Sequence, residues 1–266
     1  MATRSDALTS RQGLTYRRAG SGAPLVLVHG YLGGAAQWRA EIDRFKDRFD
    51  VIAPDLPGFA DAAGLPAVDR IEGFAAAVTD LLDELGIGRF TLLGHSMGGM
   101  IVQELAATHP ERITRLILYG TGPLGLMPNR FEPIEISRDR VCRDGVQTTI
   151  RRIGATWFRA GEAATGFDLV TRLGAQASPA AALAGLDAMR HWDGRAAIAG
   201  LTMPTLVIWG DGDQSYRWPQ IEALWQGLPD AVLAVVPNTA HAVHLEKPHL
   251  FHAILDDFLA ADCVAR

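Results

Sequence analysis

Eleven residues, Phe90 to Met100 (FTLLGHSMGGM), restrict the folds open to this chain more than any other stretch. The apolar run Phe90–Leu93 has the length and composition of a strand buried on both faces. It stops at Gly94, and Gly94-His95-Ser96-Met97-Gly98 fits G-x-S-x-G. A strand that turns at once into a helix holds its central residue in a strained backbone conformation. The positions two before and two after then approach so closely that only glycine fits. Ser96 is expected at the tip of that turn, with the helix begun at Met97 directing its N-terminal dipole toward it.

The rest of the chain is arranged around that turn. Leu14–Ala19, Leu25–His29, Val51–Ala53, Phe90–Leu93 and Ile113–Tyr119 read as strands, alternating with helical stretches. One helix, from about Ala35 to Lys46, follows the glycine-rich segment Tyr31-Leu32-Gly33-Gly34. Another carries the apolar stripe Ile71, Phe74, Ala75, Val78, Leu81, Leu82 and Leu85, with Asp69 and Glu72 spaced as a capping box and Gly86 closing it. Such alternation predicts an α/β fold: a mostly parallel sheet with helices on both faces. From Leu124 to about Ala199 strand candidates cease, and helical stretches such as Arg140–Phe158 and Pro179–Met189 are separated by glycines. This segment reads as a helical cap, dividing the chain into core (1–123), cap (124–199) and core (200–266). Alternation resumes with Thr205–Trp209, a helix near Pro219–Gln226, the strand Val232–Val236 and a helix from about Pro248 to Leu259.

A serine hydroxyl becomes a nucleophile when a base takes its proton and a third group orients that base. Both partners should lie on loops at the carboxyl ends of strands, the edge that Ser96 occupies. After Thr205–Trp209 comes Gly210-Asp211-Gly212-Asp213, and after the last strand Asn238-Thr239-Ala240-His241. The order Ser, Asp, His along the chain is that of the G-x-S-x-G class. His241 is assigned as general base, with His244 as its rival in a packing or hydrogen-bonding role. Asp213 is preferred to Asp211, which follows Gly210 directly and suits tight-turn duty. His29 reads as structural or pocket-lining, and the side chain of His95 should point away from the reacting edge. For the oxyanion, the Met97 amide is one donor; Tyr31 supplies the second, with Leu32 in reserve.

Composition narrows the functional class. The chain has 266 residues, 48% hydrophobic and 21% charged, and a net charge of −5 provides no footprint for nucleic acid. Cys142 and Cys263 suggest neither a disulfide framework nor metal-ligand spacing. MATRSDALTSRQG lacks the apolar core of a signal peptide, and no apolar run reaches membrane-spanning length, so a cytoplasmic protein acting on a small molecule is expected. Homo-oligomerisation stays open.

Several segments together carry a family resemblance: LVLVHG with Tyr31 and Trp38, DLPGF at Asp55–Phe59, GHSMGG at Gly94–Gly99, LVIWGDGD at Leu206–Asp213 and AHAVHLEKP at Ala240–Pro248. Over nearly its whole length the chain resembles the α/β-hydrolase superfamily. The resemblance implies an eight-stranded sheet with a helical cap after the sixth strand. It supports Ser96, Asp213 and His241 as a triad with Tyr31 and Met97 as oxyanion donors, and implies no cofactor and no metal. Within the superfamily the sequence is similar to capped carboxylesterases, enol-lactonases and meta-cleavage C–C hydrolases. His95 and Ala242 stand where familiar C–C hydrolases carry Asn and Trp. Haloalkane dehalogenases and epoxide hydrolases use an aspartate where this chain has Ser96.

The function expected is therefore cofactor-independent hydrolysis of small carboxylic esters or related acyl compounds. C–C bond hydrolysis or enol-lactone hydrolysis is the alternative, and a small-molecule receptor on the same fold is the alternative of another class. The cap segment Leu124–Arg195 holds ten arginines against eight acids. One arginine, with Arg130 and Arg159 as candidates, could pair a substrate carboxylate, as the C–C hydrolases and enol-lactonases would require. Trp157 and Phe158 suggest an apolar pocket wall or helix–helix core.

Overall fold

The computed structural model describes residues 7–126 and 129–260. Cys263 lies outside the described residues, as does the start of the chain through Asp6; Cys142 is a free, exposed thiol. Eight strands form one sheet: β1 (Leu8–Thr9), β2 (Thr15–Ala19), β3 (Ala23–Val28), β4 (Phe49–Pro54), β5 (Phe90–His95), β6 (Ile113–Tyr119), β7 (Thr205–Gly210) and β8 (Ala231–Val236). Their order is β1-β2-β4-β3-β5-β6-β7-β8. The pairs β1–β2 and β2–β4 are antiparallel, and every later pair is parallel. The α/β fold with an eight-stranded, mostly parallel sheet is the one expected.

The apolar strands are central for a simple reason. Leu25–Val28, Val51–Ala53 and Leu92–Leu93 are fully buried because helices cover both faces. One face packs β3, β5 and β6 residues such as Val26, Leu92 and Leu116 against α2 (Ile71–Glu84) and α3 (Met97–Thr108). The other packs Leu27, Leu93 and Ile117 against Trp38, Ile42 and Phe45, from a 3-10 turn at Ala35–Trp38 and α1 (Arg39–Phe45), and against Phe251 and Leu255 of a C-terminal helix at Pro248–Ala260. Parallel pairing brings the carboxyl ends of β3, β5, β6, β7 and β8 to one edge, and their loops converge there.

Between β6 and β7 lie the helices α4 (Ile134–Ala155), α5 (Phe167–Gly174) and α6 (Pro179–His191), with a single β-bridge, Leu124 to Asp193, closing the base of the insertion. Gly145 interrupts α4 with φ 77° and ψ 168°, breaking its axis. The expected capping box is not formed. Helix α2 starts at Ile71 with Arg70 at its N-cap and no side-chain cap hydrogen bond. Asp69 therefore sits one residue too early to reach the free amides of the first turn, while Glu72, inside that turn, complements the helix dipole. Two-residue β1 was not visible in the sequence: both of its residues are exposed and carry no alternating pattern. Among the described residues no helix is long and apolar enough to cross a membrane.

Candidate active site

Ser96 stands between β5 and α3 with φ 58° and ψ −121°, a region that non-glycine residues adopt only when the surroundings force them. Hydrogen bonds from both sides hold it there, among them one from the Gly99 amide to Ser96 O at 2.8 Å. The Ser96 amide donates to Tyr119 O at 2.9 Å, and the Thr121 hydroxyl donates to Ser96 O at 2.8 Å. The flanking glycines are sterically required. A Cβ on Gly94 would lie 2.3 Å from Gly98 O, and one on Gly98 would lie 2.4 Å from Val28 O and 2.5 Å from His29 O. The loop after β3 presses on the same turn: a Cβ on Gly30 would lie 2.8 Å from Ser96 Cβ.

His241 and Asp213 meet across the ends of β7 and β8. The distance from His241 Nδ1 to Asp213 Oδ2 is 2.8 Å, and both side chains are almost wholly buried. Asp213 is held from its other oxygen, which accepts the Ser215 amide at 2.7 Å and the Tyr216 amide at 3.1 Å. This fixes the carboxylate for one partner. Asp211 is exposed and only caps the Thr239 amide at 3.4 Å, the turn duty expected of it. The carboxylate fixes the His241 tautomer, with Nδ1–H toward Asp213 and a bare Nε2.

Three further histidines, His29, His95 and His244, are buried in the core. His244 packs as expected: its Nδ1 lies 3.0 Å from the Tyr119 hydroxyl, which itself donates to His241 O at 2.9 Å. His95 donates from Nε2 to His241 O at 3.1 Å, and its ring lies only 4.5 Å from the His241 ring. It is thus tucked under the base, nearer the site than its place in the elbow suggested. His29 accepts the Leu56 amide on Nε2 at 2.9 Å and uses Nδ1 on Gly30 O at 2.8 Å, a structural role that ties the loop after β4 to the loop after β3. Burial pushes His29 down to about 4 and His244 down to about 3, and lowers His95 as well, so all three are neutral near pH 7.

A cavity beneath the cap is lined by Tyr31, Ser96 and His241 from the core and by Arg130, Trp157 and Met189 from the insertion, among others. Tyr31 reaches the cap through its hydroxyl, which donates to Ala182 O at 2.9 Å. Leu32, the reserve donor, is wholly buried and does not line the cavity. Met97 is the first residue of α3, where the amide has no partner within the helix. Trp157 lines the cavity, its ring 5.9 Å from His241, and is also part of the hydrophobic cluster under the inserted helices. The residue after His241, Ala242, donates its amide to Trp157 O at 2.9 Å, so the cap brings an indole to the base where the sequence has none beside it.

Arg130 and Arg159 part company here. Arg159 is exposed, its guanidinium lying over Gly212 of the acid loop and its amide bound to Glu246 Oε1 at 2.7 Å, so it does not line the cavity. Arg130 does line it. Its guanidinium sits 5.1 Å from the Phe131 ring centroid and has one long hydrogen bond, 3.4 Å, to Glu132 O. Burial lowers its pKa, opposed by the nearby Tyr216 and Tyr31 and by Glu132. Glu132, its neighbour, is engaged by Arg140 and Arg152 instead. Arg138, Arg143, Arg151, Arg190 and Arg195 of the cap also face carboxylates. Among the described residues Arg130 has no carboxylate partner.

Tyr216 and Glu246 are site residues that the sequence reading did not single out. Tyr216 stacks on His241 at 5.6 Å and 12° and lines the cavity; burial raises its phenol to about 12, with Ser96 beside it and the Arg130 charge acting in the opposite sense. Its only sequence signal is a position three residues after the acid. Glu246 accepts the Ala240 amide at 2.6 Å while holding Arg159 N, clamping the His241 loop to the cap.

Residues 23–141 match the family model described as the α/β hydrolase fold. A 2-hydroxy-6-oxo-6-phenylhexa-2,4-dienoate hydrolase of Comamonas testosteroni is 29% identical over 267 residues, covering 92% of this chain and 90% of the relative. The esterase of Thermogutta terrifontis, solved with malate bound, superposes with a TM-score of 0.85 at 25% identity, over 96% of this chain and 98% of its own. The enol-lactonase of Burkholderia xenovorans LB400 shares the fold with a TM-score of 0.86 at 23% identity, over 96% of this chain and 100% of its own. The sheet, the serine elbow and these matches identify the chain as a hydrolase with the α/β hydrolase fold.

Proposed function

We propose that this chain is a cytoplasmic serine hydrolase of small carboxylic esters or related acyl compounds, working through Ser96, His241 and Asp213. The observation that carries the reading is the buried 2.8 Å contact between His241 Nδ1 and Asp213 in a cavity that His241 shares with the strained Ser96. His241 takes the Ser96 proton as Ser96 Oγ attacks the substrate carbonyl. Asp213 keeps the imidazole oriented and stabilises the imidazolium that forms. The amides of Tyr31 and Met97 bind the oxyanion. His241 then protonates the leaving group, and water, activated by the same His241, releases the acid from Ser96.

A second reading concerns the substrate and rests on Arg130, a half-buried cation in the Ser96 cavity with no carboxylate partner among the described residues. It favours acyl compounds that carry their own carboxylate, such as enol-lactones or the vinylogous diketone acids cleaved by C–C hydrolases. The dienoate substrate in the name of the Comamonas relative carries such a carboxylate, and the malate bound in the Thermogutta esterase is itself a carboxylate ligand. Trp157 forms the apolar wall next to the scissile bond.

The test is release of nitrophenol from short-chain nitrophenyl esters by wild type and Ser96→Ala. Turnover by wild type and loss of at least about a thousandfold in the variant support the reading. Equal turnover by both would overturn it.

A further inference from the structure

A second chamber shares Tyr31, Ser96, Trp157 and His241 with the cavity beneath the cap, but its remaining wall is different. It includes the side chains of Gln37, His95 and His244, and Gly30 and Gly33 of the loop after β3. It has room for about one water-sized group. Gln37 and His244 are 5% and 2% exposed, yet among the described residues Gln37 Nε2 and His244 Nε2 have no hydrogen-bond partner. Leaving such a group buried and unpaired costs about 1–3 kcal/mol, so the pair marks a place built to receive a polar molecule.

The polarity of the pair is set by its neighbours. The Tyr119 hydroxyl has one proton, and it goes to His241 O. With that proton assigned to His241 O, His244 Nδ1, 3.0 Å from the same oxygen, is the donor of the pair and carries the ring hydrogen. His244 Nε2 is then a bare acceptor, and the depressed pKa of this buried ring keeps it so near neutral pH. Gln37 Nε2 is a donor. Trp38, whose ring lies 4.8 Å from that of His244, holds the imidazole in place.

An acceptor and a donor at a chamber of this size suit a water molecule. We propose that Gln37 and His244 are positioning residues for the water that hydrolyses the acyl-enzyme, held in this chamber beside Ser96 and His241. The inference rests on the serine-hydrolase reading above. The water donates one O–H to His244 Nε2 and accepts Gln37 Nε2–H. Its second O–H faces His241 Nε2, and its remaining lone pair faces the acyl carbon. In the step itself the water oxygen bonds to the acyl carbon and its proton passes to His241. The bond to Ser96 Oγ then breaks as Ser96 recovers that proton, leaving free acid and free enzyme.

The proposal separates the two half-reactions, and pre-steady-state kinetics reads them separately. Wild type and Gln37→Met, close in volume but without the amide, are mixed with nitrophenyl acetate, with Gln37→Leu as a second variant. Acylation is read from the burst and deacylation from the steady state, with the acetyl adduct located by mass spectrometry. In the variants deacylation should slow about tenfold, the worth of one hydrogen bond to the attacking water, while the burst rate changes less than about twofold. In wild type, methanol should compete with water for the acyl-enzyme far better than 1-propanol, which the chamber cannot admit. Equal slowing of both steps, or unchanged deacylation, would reduce Gln37 to a packing role and overturn the proposal. Absence of an acetyl adduct on Ser96 in wild type would instead remove the serine-hydrolase reading beneath it.

Discussion

Replacing Arg130 by methionine should move activity and stability in opposite directions. The side chain lines the Ser96 cavity, is half-buried, and among the described residues has one hydrogen bond, a 3.4 Å contact to a backbone carbonyl. A charge-assisted hydrogen bond to a substrate carboxylate contributes about 1.5–3 kcal/mol, so its loss lowers kcat/KM roughly 10- to 150-fold for an acidic substrate. A neutral substrate has no carboxylate to lose and should change less than about threefold. The folded protein, meanwhile, loses a cation that it desolvates without a partner. Methionine fills the same space among Phe131, Tyr216 and Trp157, and the gain should be about 1 kcal/mol, or roughly 2–4 °C in Tm for a chain of this size. The assay compares nitrophenyl butyrate with the mono-nitrophenyl ester of adipic acid, alongside thermal unfolding. A selective loss on the acidic ester together with a raised Tm is the expected result. An equal loss on both esters, or a lowered Tm, would show that Arg130 holds the cap together and does not read the substrate.

Two further outcomes follow from the same geometry. Gly98→Ala puts a methyl group 2.4 Å from Val28 O and 2.5 Å from His29 O, backbone atoms that cannot swing aside, and should cost about 3 kcal/mol, or roughly 6–12 °C in Tm; Gly64→Ala, with nothing within 4 Å of the added carbon, is the control, and equal Tm values would refute the steric account of the elbow. Stability should also fall on acidification. His29, His95 and His244 have folded-state pKa values below 6.5, so the stability they contribute is present above that pH and is lost as pH falls toward 4, while Asp55, raised to about 6 by burial, and Glu41, also raised by burial, act in the opposite sense. The three imidazoles outweigh the two carboxyls, so unfolding takes up protons between pH 6 and 5 and stability falls there, and Asp55→Asn should steepen the fall. Denaturant midpoints that stay flat from pH 7 to 5 would contradict this.

What could be read from the sequence is what local chemistry determines. Buried parallel strands must be continuous apolar runs, so Leu25–Val28 and Thr205–Trp209 announced themselves, and the turns after them had to carry the polar residues of the site. The Ser96, Asp213 and His241 positions follow from that rule. The choice of Asp213 over Asp211 was also readable, because a residue directly after Gly210 is committed to the turn. Long-range properties were not readable. Whether an arginine has a partner depends on where distant acids fall, so Arg130 and Arg159 look alike in sequence, and only the fold puts one in the cavity and the other over Gly212. Trp157 read more readily as helix–helix core than as cavity wall, and the fold gives it both places, packed in the hydrophobic cluster and lining the cavity. Gln37 gave no signal: a lone glutamine one position before a core tryptophan becomes noticeable only when its amide is found buried and unpartnered.

The central claim is that Ser96 is the nucleophile activated by His241. A fluorophosphonate, which attacks only activated serines, tests it directly when the modified peptide is located by mass spectrometry. One equivalent on Ser96 in wild type, with at least about a hundredfold slower labelling in His241→Ala, is the predicted result. No adduct, or an adduct on another residue with Ser96 untouched, would contradict it.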